Sequence, residues 1–228
     1  MSPLKAWPLV KAVRFLIVAI LCLGTDEIHG APVVDQELVR PGQGGWWLAE
    51  GVSHAGQTVT AGIPGYLVNV ELWATRREDF LTPWLLDIHA VLAGEPTGLI
   101  LSSTVVMPEG FPVLPNEGFP PTLNVALALP VFFHTGDQFA IVLHPEGANG
   151  IPSLQAGVWT FASDYDGGKP VWGSSDTDLA TTEGFDFLFR TYVEPVPEPS
   201  SFVLAALGLM GLVVWRRRKQ HSLLDLNY

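Results

Sequence analysis

Apolar and polar residues alternate with a period of two along the middle of this chain. Residues 32–193 hold no stretch that sustains the roughly 3.6-residue period of an amphipathic helix. Val68, Val70, Leu72 and Ala74 alternate with Asn69, Glu71 and Trp73, and Leu86, Ile88, Ala90 and Leu92 with Asp87, His89 and Val91. The pattern recurs in Phe139, Ile141 and Leu143 against Gln138, Ala140 and Val142. It recurs again in Phe185, Phe187, Phe189 and Thr191 against Asp186, Leu188, Arg190 and Tyr192. Side chains two residues apart share one face of a strand, so each run can bury one face and expose the other. Residues 46–52, 57–61, 99–107, 123–133 and 157–163 add candidates, giving about nine strands punctuated by glycine and proline. Gly136-Asp137 signals a tight turn, and the Pro/Gly-rich 108–121 reads as a long loop. Short strands at this spacing predict an all-β fold, a single antiparallel β-sandwich of jelly-roll type. No internal repeat of about 20–50 residues is present, which argues against a propeller or solenoid.

Charge divides the chain differently. Of twelve basic residues, Lys5, Lys11 and Arg14 precede one apolar run and Arg216, Arg217, Arg218 and Lys219 follow another. Between Asp35 and Glu198 stand five basic and twenty acidic residues, a formal excess of fifteen negative charges. Such a surface repels nucleic acid and anionic lipid headgroups and suits a cation or an uncharged partner such as a glycan. The single cysteine, Cys22, lies inside the first apolar run, and Ala19-Ile20-Leu21 before it lack the small residues of a lipoprotein site. With that run removed no thiol remains, so a domain of roughly 150 residues has to be held by its core rather than by disulfides.

The front end has the parts of a secretion signal: a basic start, an apolar core at 15–24, and the small residues His29-Gly30-Ala31 for cleavage. That core falls well short of the roughly 20 residues needed to span a bilayer, so residues 1–31 read as a cleavable signal peptide. At the back, residues 194–201 form a proline-rich linker containing Pro197, Glu198 and Pro199. An apolar run at 202–215 follows, then the basic end at 216–228. Prolines on both sides of a glutamate keep that segment extended. Gly208 and Gly211 permit close helix packing in lipid, and the basic cluster holds its end at the cytoplasmic face. This order of features closely resembles the PEP-CTERM sorting signal of bacteria that make exopolysaccharide. The resemblance implies recognition of Pro197-Glu198-Pro199 by an exosortase, a membrane-embedded transpeptidase, with 202–215 as a transient transmembrane helix. Most of residues 46–193 also resemble β-sandwich domains of secreted, C-terminally anchored bacterial proteins, within the β-sandwich read at 32–193. Gln57-Thr58-Val59-Thr60-Ala61-Gly62, the apolar strand ending in Trp73, the strand after Gly136 and the closing stretch from Asp186 to Val193 carry that likeness.

Catalytic patterns are absent: there is no Gly-x-Ser-x-Gly elbow, phosphate-cradling glycine loop or His-Glu-x-x-His. The histidines of the middle, His54, His89, His134 and His144, are scattered singly, and His89 falls on the polar face of a strand, a structural position. Asp164, Asp166, Asp176 and Asp178, spaced with glycine, are candidate oxygen ligands for a structural calcium, although Ser175 stands where an EF-hand places its bidentate glutamate. A solvated polar loop is the alternative. Trp73 and Trp159 sit in apolar strands and read as core. Trp172, beside Gly173 and near Tyr165, is the candidate exposed platform for a sugar ring. The sequence thus predicts a non-enzymatic protein exported across the cytoplasmic membrane and sorted to the cell surface or exopolysaccharide matrix. A carbohydrate-binding module or adhesin, and an extracellular polysaccharide hydrolase, are the rival readings.

Overall fold

The computed structural model describes residues 30–39, 45–47, 53–76, 78–79, 81–113, 121–147, 157–162, 165–196, 207–208 and 211. The chain divides into two compact units, Ala31–Val196 and one made of Met1–Gly30 with Pro197–Tyr228. The signal peptide, the Pro-Glu-Pro segment and the basic cluster lie almost wholly outside the described residues. So does the 202–215 run, apart from Leu207, Gly208 and Gly211, which take helical backbone. Among the described residues no helix is long and apolar enough to cross a membrane.

The Ala31–Val196 unit is all-β. One antiparallel sheet contains β1 (Val33–Leu38), β4 (Gly65–Leu72), β8 (Leu123–Phe133) and β14 (Phe189–Pro195) in the order β1-β14-β4-β8. A second contains β3 (His54–Thr60), β6 (Trp84–Leu92), β7 (Glu95–Val106), β9 (Gln138–Pro145), β11 (Pro170–Gly173) and β12 (Ala180–Thr181), in the order β12-β11-β3-β9-β6-β7. A small third sheet joins β2 (Gly45–Trp47), β10 (Gly157–Ala162) and β13 (Asp186–Phe187), with β5 (Ala74–Arg76) also pairing to β10. The two larger sheets share one core. Leu67, Leu72, Leu123 and Phe189 from the first are fully or almost fully buried with Trp84, Ile88, Phe139 and Ile141 from the second. Each such side chain contributes about 1.5–3 kcal/mol by leaving water.

The period-two pattern locates most of these strands but misjudges where they bend. Val68 was expected beside Val70 and Leu72, yet Leu67 takes that inward place. Asn69 faces Tyr192 and Leu67 faces Val193, so Val68 is the extra residue of a bulge. Two strands expected to be continuous are each split. Trp73 separates β4 from β5, Leu188 separates β13 from β14, and the Trp73 N–H donates to the Leu188 carbonyl at 3.4 Å. Both chains change sheet at this corner, so 186–189 are all buried where alternation predicts every second residue exposed. Gly136-Asp137 does turn the chain tightly, with Gly136 at a φ of 91°, but the turn leads from β8 to β9 in the other sheet rather than closing a hairpin.

A buried amide stitches the corner to the second sheet. Gln57 Oε1 accepts the Phe187 N–H at 3.0 Å, and its Nε2 donates to Asp186 Oδ1 at 3.0 Å. Removing these with Gln57→Leu is expected to cost about 1–3 kcal/mol of unfolding free energy, measured by urea denaturation. The β6–β7 hairpin turns on Ala93-Gly94, and Ala93 holds a left-handed φ of 54°. A residue with a Cβ is strained there, whereas asparagine tolerates that region and favours such two-residue turns. Ala93→Asn is therefore expected to stabilise the domain by about 0.5–1 kcal/mol, read as an upward Tm shift of a few degrees.

Candidate functional site

The six-stranded sheet curls until its edge strands meet. Thr181 of β12 donates its N–H to Glu95 Oε2 at 2.9 Å and its hydroxyl to Glu95 Oε1 at 2.5 Å, at the start of β7. The face of β3, β9 and β6 that turns away from the main core is therefore covered by the β11–β12 hairpin. Val171 and Leu179 of that hairpin pack on Ala140 and Val142 of β9 as a small second core. A close approach holds the hairpin: Thr58 N–H donates to the Lys169 carbonyl at 2.8 Å and Lys169 N–H to Thr58 Oγ1 at 2.6 Å.

Under this cover lie three histidines from adjacent strands. His54 opens β3, His144 is near the end of β9, and His89 is in β6; all are buried. The rings of His54 and His144 stack, 4.1 Å between centroids at 18°. The loop between β11 and β12 brings Asp176 over them. Its Oδ1 stands 3.3 Å from His54 Nε2, 3.8 Å from His89 Nε2 and 3.9 Å from His144 Nε2. Asp87, two residues before His89 on β6, places Oδ2 3.0 Å from His144 Nε2. The ligand atoms of His54, His144 and Asp176 lie within 4.8 Å of one another, as do those of Asp87, His89 and Asp176.

The other ring nitrogens determine which protons are present. His89 Nδ1 is 3.1 Å from the Thr97 carbonyl and His144 Nδ1 is 3.2 Å from the Pro145 carbonyl. A carbonyl only accepts, so His89 Nδ1 carries the proton, whereas His144 has an acceptor at each of its nitrogens, Pro145 O and Asp87 Oδ2. Ser53 Oγ donates to the Ser174 carbonyl at 2.9 Å, which leaves its lone pair for His54 Nδ1–H at 2.7 Å. The Nε2 atoms of His54 and His89 thus face the Asp176 carboxylate as bare lone pairs, while His144 Nε2 stands at hydrogen-bond distance from Asp87 Oδ2. His54 Nε2, His89 Nε2 and Asp176 Oδ1 are buried with no hydrogen-bond partner. Burial, followed by the charge of His144, pushes His54 down to about 4, against the pull of Asp176 and Asp178, so this imidazole is neutral at pH 7. Burial also pushes the Asp87 carboxyl up, but the hydrogen bond from His144 helps hold it below its ordinary value.

A bulge supports this arrangement from behind. Between His89↔Ile100 and Val91↔Pro96, three residues of β7 face one of β6. That bulge aims the Thr97 carbonyl at His89 and passes Gly98 against the backbone of Asp176 and Thr177.

The residues singled out in sequence fare differently. Asp176 belongs to the histidine cluster. Asp178 instead caps its own turn, accepting the N–H groups of Ser174 and Ser175 at 2.9 and 2.7 Å. Asp166 is exposed and Asp164 lies outside the described residues, so the four aspartates are not brought together as a calcium site among the described residues. Trp172 is no exposed platform: it belongs to strand β11, is half-buried, and packs edge-on against Phe185 and Phe187. Tyr165 packs edge-on against Phe189, and burial pushes its phenol well above the ordinary range. With Asp166 and Lys169 it lines a shallow groove of about 330 Å³. Trp73 is core, as expected, while the side chain of Trp159 lies outside the described residues. The histidines read as single and structural are the ones the fold gathers; His134 alone stays exposed in the β8–β9 turn.

Comparison with known proteins bears on the tail. A family model described as the PEP-CTERM protein-sorting motif matches residues 195–219, a span that takes in Pro197, Glu198, Pro199 and the basic cluster from Arg216 to Lys219. The chain carries a PEP-CTERM sorting motif. Proteins bearing a PEP-CTERM signal are secreted and sorted to the surface, and this chain has that signal. No curated protein matches the sequence. Among solved structures, the cysteine protease and lectin-like domains of Cwp84, a surface layer associated protein of Clostridium difficile, are similar at 13% identity with a TM-score of 0.40. That match covers 64% of this chain and 32% of the other, so the chain spans about a third of that solved protein's length.

The cover is the most exposed dependency of the histidine cluster. A Cβ at Gly168 would lie 1.8 Å from the Thr58 carbonyl oxygen, a backbone atom that cannot swing aside. Gly168→Ala is expected to cost about 2–3 kcal/mol and to loosen the β11–β12 hairpin selectively. Hydrogen exchange should show 169–181 losing protection more than β4 or β8.

Proposed function

We propose that the protein is a non-enzymatic component of the bacterial cell surface or exopolysaccharide matrix, delivered there by its two ends. The observation that carries this reading is the PEP-CTERM motif at 195–219, placed directly after the last strand of a strongly acidic β-domain. Residues 1–31 direct export and are removed. The apolar 202–215 halts in the membrane as a transient transmembrane helix, and the cluster Arg216, Arg217, Arg218 and Lys219 fixes its cytoplasmic end. Pro197-Glu198-Pro199 is then presented outside, extended, to an exosortase, which releases the domain to the surface.

The exported domain is on this reading a jelly-roll β-sandwich. The strand orders β1-β14-β4-β8 and β3-β9-β6-β7 support it. Successive long strands β3, β4 and β6 alternate between the sheets, the β6–β7 hairpin stays within one, and β8, β9 and β14 alternate again. An acidic, patterned surface of this kind is soluble in a polysaccharide matrix without attachment to anionic lipid.

Mass spectrometry of the protein isolated from the producing strain tests the sorting. The expected mature species lacks the N-terminal signal and the residues beyond about 200 when the exosortase is present. It retains the tail when the exosortase gene is deleted or Glu198 is changed to Ala. Retention through Tyr228 in every strain would make the protein a single-pass membrane protein and end the sorting assignment.

A further inference from the structure

We propose that His54, His144 and Asp176, completed by His89 and Asp87, form a binding site for one divalent first-row transition-metal ion, with zinc as its probe. The first ground is the direction of the lone pairs. Four atoms that point into the cluster are electron-pair donors: Nε2 of His54 and of His89, whose rings carry their proton on the far nitrogen, and one oxygen each of Asp176 and Asp87. His144 has acceptors at both nitrogens, Pro145 O and Asp87 Oδ2, and a neutral imidazole has one proton to offer them. A cation resolves all of these conflicts at once, because it accepts from each of the inward-facing atoms.

The second ground is spacing. Neighbouring ligands on an ion with bonds of about 2.0–2.2 Å stand roughly 3–3.6 Å apart. The separations of 3.0, 3.3, 3.8 and 3.9 Å around Asp176 Oδ1 and His144 Nε2 need changes of only a few tenths of an ångström. The third ground is what stands behind the ligands. Histidines that hold a metal through one nitrogen give the other N–H to an oxygen that fixes tautomer and ring plane. Thr97 O, Pro145 O and Ser53 Oγ do this here, and Ser53 is itself oriented by Ser174 O from the loop that supplies Asp176.

The donor set selects the class of ion. Calcium and magnesium take shells made of oxygen, whereas imidazole nitrogens with one or two carboxylates suit zinc, nickel, copper, iron or manganese. Bound there, the ion ties the 174–178 loop to three strands and fastens the cover onto the curled sheet.

The test uses the full-length protein in detergent, purified without a polyhistidine tag, stripped with EDTA and titrated separately with zinc, cobalt and calcium chlorides. About one zinc should stay bound per chain after dialysis, with a Tm rise of several degrees that calcium does not reproduce. Cobalt should give visible d–d absorption that zinc displaces. His54→Ala with His144→Ala should abolish retention, and Asp176→Asn should weaken zinc binding at least about tenfold, while His134→Ala, outside the cluster, should bind as the parent does. Asp176 is half-exposed on a loop, so its variant remains informative if the double histidine variant fails to fold. No retained zinc, retention unchanged by Asp176→Asn, or stabilisation by calcium alone would overturn the site.

Discussion

A strand has two faces, and in the six-stranded sheet both have to be buried by different means. One face meets the other large sheet through Ile88, Phe139 and Ile141. The opposite face of the same strands carries His54, Asp87, His89 and His144, which water would ordinarily solvate. Those residues can be buried only because the sheet is curled and roofed, and the roof depends on β11 lying against β3. Gly168 permits that approach, Thr58 and Lys169 hold it, and Glu95 pins the far edge through Thr181. Remove the roof and the polar face is solvated, Asp176 leaves the histidines, and the second core of Val142, Val171 and Leu179 is exposed.

Burying polar groups requires that each find a partner, and the domain solves this in two ways. At the corner, Gln57 acts as a substitute strand edge: its amide accepts from the backbone of β13 and donates to Asp186, whose other oxygen accepts the Tyr165 N–H. There the hydrogen bonds close. Under the roof they close on the outer side of each imidazole, but on the inner side His54 Nε2, His89 Nε2 and Asp176 Oδ1 have no hydrogen-bond partner. An uncompensated buried polar atom costs about 1–3 kcal/mol, and several in one place exceed what a domain of modest stability tolerates. The contrast between the two clusters, built in the same sheet, is the physical reason to regard the inner one as a cation site.

The all-β class was legible because it rests on local alternation. Strand β8 was located to the residue, and β6, β9 and β10 nearly so. What escaped reading depends on tertiary partners. The splits at Trp73 and Leu188 exist because two neighbouring strands change sheet together, and neither carries a glycine or proline to announce it. β11 and β12 are too short, and too rich in turn residues around them, to register as strands. The start of β7 hid behind Glu95-Pro96-Thr97-Gly98, where Glu95 and Pro96 pair with Leu92 and Val91 and Thr97-Gly98 belong to a bulge. The histidines escaped for the same reason. His54, His89 and His144 each occupy a position opposite to the core-facing residues, which reads as solvent-facing. Only the order β3-β9-β6 makes them neighbours, and only the curl of the sheet makes that face an interior. The one local hint was Asp87 two residues before His89, same-side neighbours on one strand. The sorting motif at 195–219 was legible because it is a pattern of linear order, with proline, hydrophobicity and charge read along the sequence.

The two halves of the molecule meet in the problem of stability outside the cell. Residues 30–196 contain no cysteine, so no disulfide limits the freedom of the unfolded chain. A metal ion held by residues 54, 89, 144 and 176 performs an equivalent task, because it closes long loops between positions distant in sequence and binds the folded state alone. It also suits the charge of the domain. Residues 31–196 carry fourteen excess negative charges, which repel one another in the compact state, and Asp87 and Asp176 are brought close together in a partly dry environment. A divalent cation at that point removes the worst of this repulsion and leaves the outer surface acidic. Solubility of the exported domain and cohesion of its roof then come from the same distribution of carboxylates.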